Sequence, residues 1–177
     1  HNRHGIEDEV AEVNDVERQR RRRAVHEVGD TADGRLGELG EVPGAKHFLK
    51  RLRKLDGTAI AIATGCWRRE AFFKLRASGL SIAGIPLATS DDDQDRMKIM
   101  EMAAGRARDF HANPGFEQIV YLGDGPWDLQ ASRSLGYRFI GIGPQIQGLM
   151  DPVAGDWHQD YLKIEAVLAS IASALKP

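Results

Sequence analysis

The sequence predicts an α/β fold, a doubly wound, Rossmann-like parallel sheet with helices on both faces. Three observations carry that expectation. Short apolar runs bounded by turn residues recur at 58–63, 86–88, 119–122 and 138–142, lengths that suit strands and are too short for helices. Segments with apolar residues at helical spacing lie between them. The runs also lack polar alternation, as expected of parallel strands covered on both sides, and strand-helix alternation with short loops implies right-handed crossovers.

Taken in order, residues 6–28 are highly charged, with Ile6, Val10 and Val13 forming a thin stripe that predicts an amphipathic helix. Arg18 and Arg20 to Arg23 form a basic cluster, but Glu7, Asp8, Glu9, Glu12, Asp15 and Glu17 precede it and no aromatic residue interleaves it. That pattern reads as a solvated helix face rather than a nucleic-acid surface. Residues 29–44 are rich in Gly and Asp and read as loop, and Asp30 and Asp33 follow no apolar strand, so they read as turn residues.

From Pro43 the pattern becomes regular. A helix over 45–55 carries Phe48, Leu52 and Leu55, Asp56-Gly57 stops it, and 58–63 follows as a strand. Next come a helix over 67–78, a strand over 86–88, a helix over 95–108 and a strand ending at Leu122. Gly123 and Gly125 are expected to let the backbone turn tightly, and Pro126 to open a helix over 127–135, where its missing N–H is not needed. A strand over 138–142 and a final helix carrying Ile164, Val167, Leu168, Ile171 and Leu175 complete the alternation.

Composition bounds the function. With 177 residues, 42% hydrophobic and 28% charged, the chain can bury one sizeable core as a soluble globular domain. A net charge of −2 argues against a polyanion-seeking protein, so no nucleic-acid partner is expected. The single cysteine, Cys66, cannot form an internal disulfide, which favours a reducing, cytoplasmic compartment. No apolar run approaches the ~18 residues of a membrane span, so no membrane partner is expected. Oligomeric state leaves no trace in the sequence. A hydride-transfer role is disfavoured because Gly123-Asp124-Gly125 lacks the third glycine of a dinucleotide fingerprint.

Chemistry gathers at the strand ends, where open α/β sheets bind their ligands. Thr64 and Gly65 end the first strand, and their hydroxyl and backbone N–H groups suit either a phosphoryl oxygen or, for Thr64, a helix N-cap. Arg96 and Lys98 lie near a helix start, where cations oppose the helix dipole and are either held for a ligand or simply exposed. Asp124 and Asp128, four residues apart at the third strand's end, suit a hard cation such as Mg²⁺, or else a turn and a helix N-terminus.

That order of motifs resembles the haloacid dehalogenase-like (HAD) superfamily of phosphohydrolases. Ile60-Ala61-Ile62-Ala63-Thr64-Gly65 is similar to its second motif, Arg96 or Lys98 to its third, and Gly123-Asp124-Gly125-Pro126-Trp127-Asp128 to its fourth. The resemblance covers roughly 42–142 and is nearest to the phosphoglycolate-phosphatase or β-phosphoglucomutase type, which carries a helical cap near its N-terminus. It implies a remnant of that cap and a linker over 1–42, and a Rossmann-like core over 43–177.

The resemblance also implies roles. Thr64 and Gly65 would bind the phosphoryl group, Thr64 with Arg96 or Lys98 would act in catalysis, and Asp124 with Asp128 would hold Mg²⁺. The substrate would be a small phosphorylated metabolite and the reaction phosphate monoester hydrolysis through an aspartyl-phosphate. The family's nucleophile and its acid-base partner form a D-x-D motif after a first, central strand. No such motif precedes Thr64, and the only D-x-D matches lie in Asp91-Asp92-Asp93-Gln94-Asp95, after the second strand. Together with an opening at His1 that is polar and has no strand before it, this leads us to expect a chain lacking about 50 leading residues. Such a chain would not turn over alone. The alternative is a non-catalytic scaffold of the same fold that binds a phosphorylated ligand or a protein.

Overall fold

The computed structural model describes residues 42–112, 115–150 and 157–175. The helix expected over 6–28, its arginine cluster, the loop containing Asp30 and Asp33, and all but the last residue of the expected cap remnant lie outside these residues. Within them the elements run α1 (Ala45–Leu52), β1 (Ile62–Ala63), α2 (Arg68–Ala77), β2 (Leu87–Ala88), α3 (Arg96–Phe110) and β3 (Val120–Gly123). There follow α4 (Pro126–Ser134), β4 (Arg138–Ile142), a 3-10 turn (Gln147–Leu149), β5 (Trp157–His158) and α5 (Ile164–Ala174). Every strand pair is parallel.

The pleat of β4 shows how both faces are covered. Ile140 and Ile142 point one way, onto Phe48 of α1 and Val167 and Ile171 of α5, with Val120 and Leu122 of β3 beside them. Phe139 points the other way, onto Leu129 of α4 and Ile146, with Tyr121 of β3 against the same cluster. This is the period-two alternation of a strand buried on both sides. On the other pair of strands, Ala88 packs with Ile99 and Ala103 of α3, and Ala61 and Ala63 close over them.

The strands form two sheets, β1-β2 and β3-β4-β5, rather than one. In β1 the Ile62 N–H donates to Pro86 O at 2.8 Å and the Thr64 N–H to Ala88 O at 3.0 Å. Successive residues of a strand turn their backbone groups to opposite sides, so Ala61 and Ala63 point theirs away from β2. In β3 the Ile119 carbonyl accepts from Arg138 N at 2.9 Å, so Val120 and Leu122 point theirs away from β4. Among the described residues both strands thus have a ladder on one side only. Their burial agrees: residues 59–64 and 119–123 are half-buried, whereas β2 and the last four residues of β4 are buried. The strand expected over 58–63 shortens to Ile62–Ala63, because only those residues find a parallel partner.

Other boundaries differ for local reasons. Helix α1 ends at Leu52 rather than Leu55, since Lys54 N and Leu55 N bond three residues back, to Arg51 O and Leu52 O, both at 3.1 Å. Strand β5 was not expected: two residues give no readable period, and Trp157 is held by its indole N–H on Gly143 O at 2.7 Å. No helix among the described residues is long and apolar enough to cross a membrane.

The acidic run after β2 is committed to structure. Asp91 accepts from the Arg68 N–H at the start of α2, and Asp95 caps α3 by accepting from Met97 N at 2.8 Å. Asp93 accepts from Asp95 N at 2.8 Å. Asp92 accepts from Arg106 Nη1 and Nη2 at 2.9 and 2.8 Å, Arg68 Nη2 at 2.7 Å and Thr89 N at 2.8 Å. These bonds, the Arg106 pair foremost, hold the Asp92 carboxyl well below the usual carboxylate range despite its burial.

Two predictions follow from packing. The lowered Asp92 pKa contributes stability that is complete above about pH 4 and is lost as pH falls through the lowered value. Asp92→Asn should therefore cost about 1–2 kcal/mol at pH 7 and flatten the acid limb of a stability-pH curve measured by urea unfolding. Gly44 has φ 84°, and a Cβ there would lie 2.6 Å from the Tyr161 carbonyl carbon and oxygen. Gly44→Ala should lower stability by about 3 kcal/mol, and a melting temperature unchanged from wild type would contradict that packing.

Candidate active site

Helix α3 begins beside the carboxyl ends of β1 and β3, and its first residue, Arg96, organises the junction. Arg96 donates to Asp128 Oδ1 from Nε at 2.7 Å and from Nη2 at 2.5 Å, and from Nη2 to the Tyr121 hydroxyl at 2.7 Å. Tyr121 in turn donates to Ala63 O at 3.2 Å. A continuous chain of bonds therefore runs from α4 through α3 and β3 to β1. The Asp128 side chain is 3% exposed and the Arg96 side chain 21%, so the pair is shielded from water. Tyr121 was read from sequence only as part of an apolar strand. Its signal was a lone hydroxyl in the run Ile119-Val120-Tyr121-Leu122, otherwise aliphatic.

Asp128 occupies the third position of α4, which Pro126 opens as expected. Its other oxygen, Oδ2, takes only a long bond from Gly125 N, at 3.4 Å. The chain bends at Asp124 and Gly125, with no left-handed φ at Gly123 or Gly125. A Cβ on Gly123 would lie 2.7 Å from Asp128 Oδ2 and 2.9 Å from Tyr121 Cε1, so the residue is small to admit those side chains. At Gly125, whose φ is −110°, the Trp127 ring fills the space a Cβ would need.

Thr64 does not cap α2, whose N-cap is Trp67 without a side-chain bond. Its Oγ1 accepts from Cys66 N at 3.2 Å, which leaves the hydroxyl proton to donate elsewhere. Gly65 is exposed, and a Cβ on it would lie 3.8 Å from Arg96 Nη1. The Thr64-Gly65 loop and the Arg96 guanidinium are therefore neighbours. Ser90 fixes the loop by donating from its hydroxyl to Gly65 O and from its N–H to Cys66 O, the latter at 3.1 Å. Lys98 stands apart, its side chain 61% exposed and 3.7 Å from Asp93.

Asp124 is exposed on the loop after β3. Burial and then the Asp124 charge push the Tyr161 hydroxyl up to about 12. Asp124 and the lightly engaged Oδ2 of Asp128 are hard oxygen donors, and their chemistry fits an ion such as Mg²⁺. Among the described residues no group of three or more His, Cys, Asp or Glu gathers, so the chain offers two such carboxylates and not a full cage.

Parallel strands covered by helices on both faces define an α/β, Rossmann-like fold. No family model and no curated protein matches the sequence. Among solved structures it is similar to a hydrolase from Pseudomonas syringae, at 25% identity and a TM-score of 0.55, over 73% of this chain and 60% of that one. The chain thus spans 60% of the length of the hydrolase it matches.

Removing Arg96 should expose the cost of the buried carboxylate. Arg96→Ala is expected to lose about 3 kcal/mol in urea unfolding, and adding Asp128→Asn to recover part of that loss by removing the stranded charge. Equal stability of the single and double variants would argue against a buried pair.

Proposed function

We propose that these residues form the phosphate-binding and metal-holding part of a Mg²⁺-dependent phosphate monoester hydrolase of the HAD-like type. The observation that carries the reading is the Arg96 guanidinium, which bonds Asp128 and neighbours the Thr64-Gly65 loop, with Asp124 on the loop directly after β3. The hydrolase fold and the order of the sequence motifs support it.

In this reading Thr64 Oγ1, the Gly65 N–H and Arg96 Nη1 hold the phosphoryl oxygens, and Arg96 offsets their negative charge. Asp124 and Asp128 would hold Mg²⁺, which when bound polarises the phosphoryl group and screens its charge from an attacking carboxylate. The nucleophile would be an aspartate at the end of an added parallel strand seated between β1 and β3. Two outward-facing edges support that seat: the backbone groups of Ala61 and Ala63 on one side and of Val120 and Leu122 on the other. Such a strand would end beside Thr64, Arg96 and Asp124. Its carboxylate would attack phosphorus, the P–O ester bond would break, and a second carboxyl group would protonate the departing alkoxide. Water would then hydrolyse the aspartyl-phosphate to release orthophosphate. The substrate is a small phosphorylated metabolite and the setting the cytoplasm.

The intact gene product containing these residues should hydrolyse p-nitrophenyl phosphate with Mg²⁺ and stop on addition of EDTA. Asp124→Asn, at an exposed position, should lower kcat/KM at least about 100-fold, while Lys98→Ala should leave it near wild type. Turnover indifferent to EDTA and to Asp124→Asn would reject the proposal. Orthophosphate binding without any turnover would favour a non-catalytic scaffold instead.

A further inference from the structure

We propose that Tyr121 is a positioning residue that aims Arg96 at the phosphate loop, an inference that rests on the phosphate-binding reading of that loop. A guanidinium clamped by a carboxylate is normally fixed through two oxygens in parallel, which sets its plane. Here both bonds from Arg96, Nε at 2.7 Å and Nη2 at 2.5 Å, converge on the single oxygen Oδ1 of Asp128. One oxygen is a pivot, about which the guanidinium plane can tilt while both bonds are kept.

The Tyr121 hydroxyl removes that freedom. It accepts from Nη2 at 2.7 Å, on a different atom from the pivot, and the guanidinium carbon lies 5.8 Å from the centroid of its ring. The guanidinium is rigid and planar, so an acceptor on Nη2 away from the pivot restrains the tilt that would carry Nη1 off its position. Nη1 has no hydrogen-bond partner among the described residues and is the atom nearest the space above Gly65.

Tyr121 is itself held. Its ring stacks on Phe139 with centroids 6.4 Å apart, and its hydroxyl proton goes to Ala63 O at 3.2 Å. Burial, the largest influence on the phenol, raises its pKa and keeps it protonated, so it can donate to Ala63 while accepting from Arg96. Ala63 immediately precedes Thr64, so the same hydroxyl sets the distance between the Arg96 cation and the Thr64 donor. A carbonyl oxygen has two lone pairs, so Ala63 O can keep this bond and still accept from a strand seated beside β1.

The test uses the intact gene product, ¹⁵N NMR of the Arg96 side chain and inorganic orthophosphate as the probe. In the wild type the Arg96 Nη resonances should be separate, and in Tyr121→Phe they should merge, with orthophosphate affinity falling about five-fold. Phe139→Leu loosens the ring stack but keeps the hydroxyl, and it should change both readouts less than Tyr121→Phe does. Separate resonances and full affinity in Tyr121→Phe, or equal effects of the two substitutions, would overturn the proposal. Merging of the Arg96 resonances in Tyr121→Phe when neither protein binds orthophosphate would support the aiming contact and reject the phosphate reading.

Discussion

A carboxylate almost wholly removed from water at the start of a helix needs a cation, and Asp128 finds it in Arg96. Much of the strand-end geometry depends on that pair. Arg96 opens α3 and Asp128 sits in the first turn of α4, so the bond between them fixes how two helices approach the sheet edge. Burial strengthens their attraction but makes the arrangement intolerant, because neither partner can be left alone without a large desolvation cost. The small residue at Gly123 belongs to the same constraint, since any side chain there would meet Asp128 and Tyr121.

The fold was legible because periodicity survives without knowledge of contacts. Strand β4 spans the residues expected of it, and α5 carries Val167 and Ile171 inward as their spacing implied. Strand β1 was overestimated for a reason no single-residue pattern contains: an apolar run becomes a strand only as far as it has neighbours, and β1 has one. The candidate site was legible in part. Asp124, Asp128, Arg96 and Thr64 announced themselves as polar groups at strand ends, but the sequence favoured Arg96 over Lys98 only for lying nearer the helix start. Only the third dimension turns one towards Asp128 and the other towards solvent. Tyr121 escaped notice because a tyrosine in a strand is counted with the apolar residues, although its hydroxyl joins the site.

The run Asp91 to Asp95 offers the opposite lesson. Clustered carboxylates after a strand look like chemistry, yet these four are spent on caps, on a turn and on the Arg68 and Arg106 ion pairs. Their role is to fasten the loop after β2 to α2 and α3, and so to support the Thr64-Gly65 loop that Ser90 holds from the same segment. The loop proposed to bind phosphate is thus supported by residues that themselves look like a site.

The contact between Pro43 O and Tyr161 N, at 2.9 Å, joins the two ends of the described chain, and Phe48 stacks on the Tyr161 ring at 4.6 Å. Local pieces such as β1 to α3 need only short chain closures to meet. The face built from α1 and α5 instead closes the long stretch from Pro43 to Tyr161, and loop closure grows costlier with the length enclosed. By that cost alone this face is expected to close late in folding, whatever the apolar content of either helix.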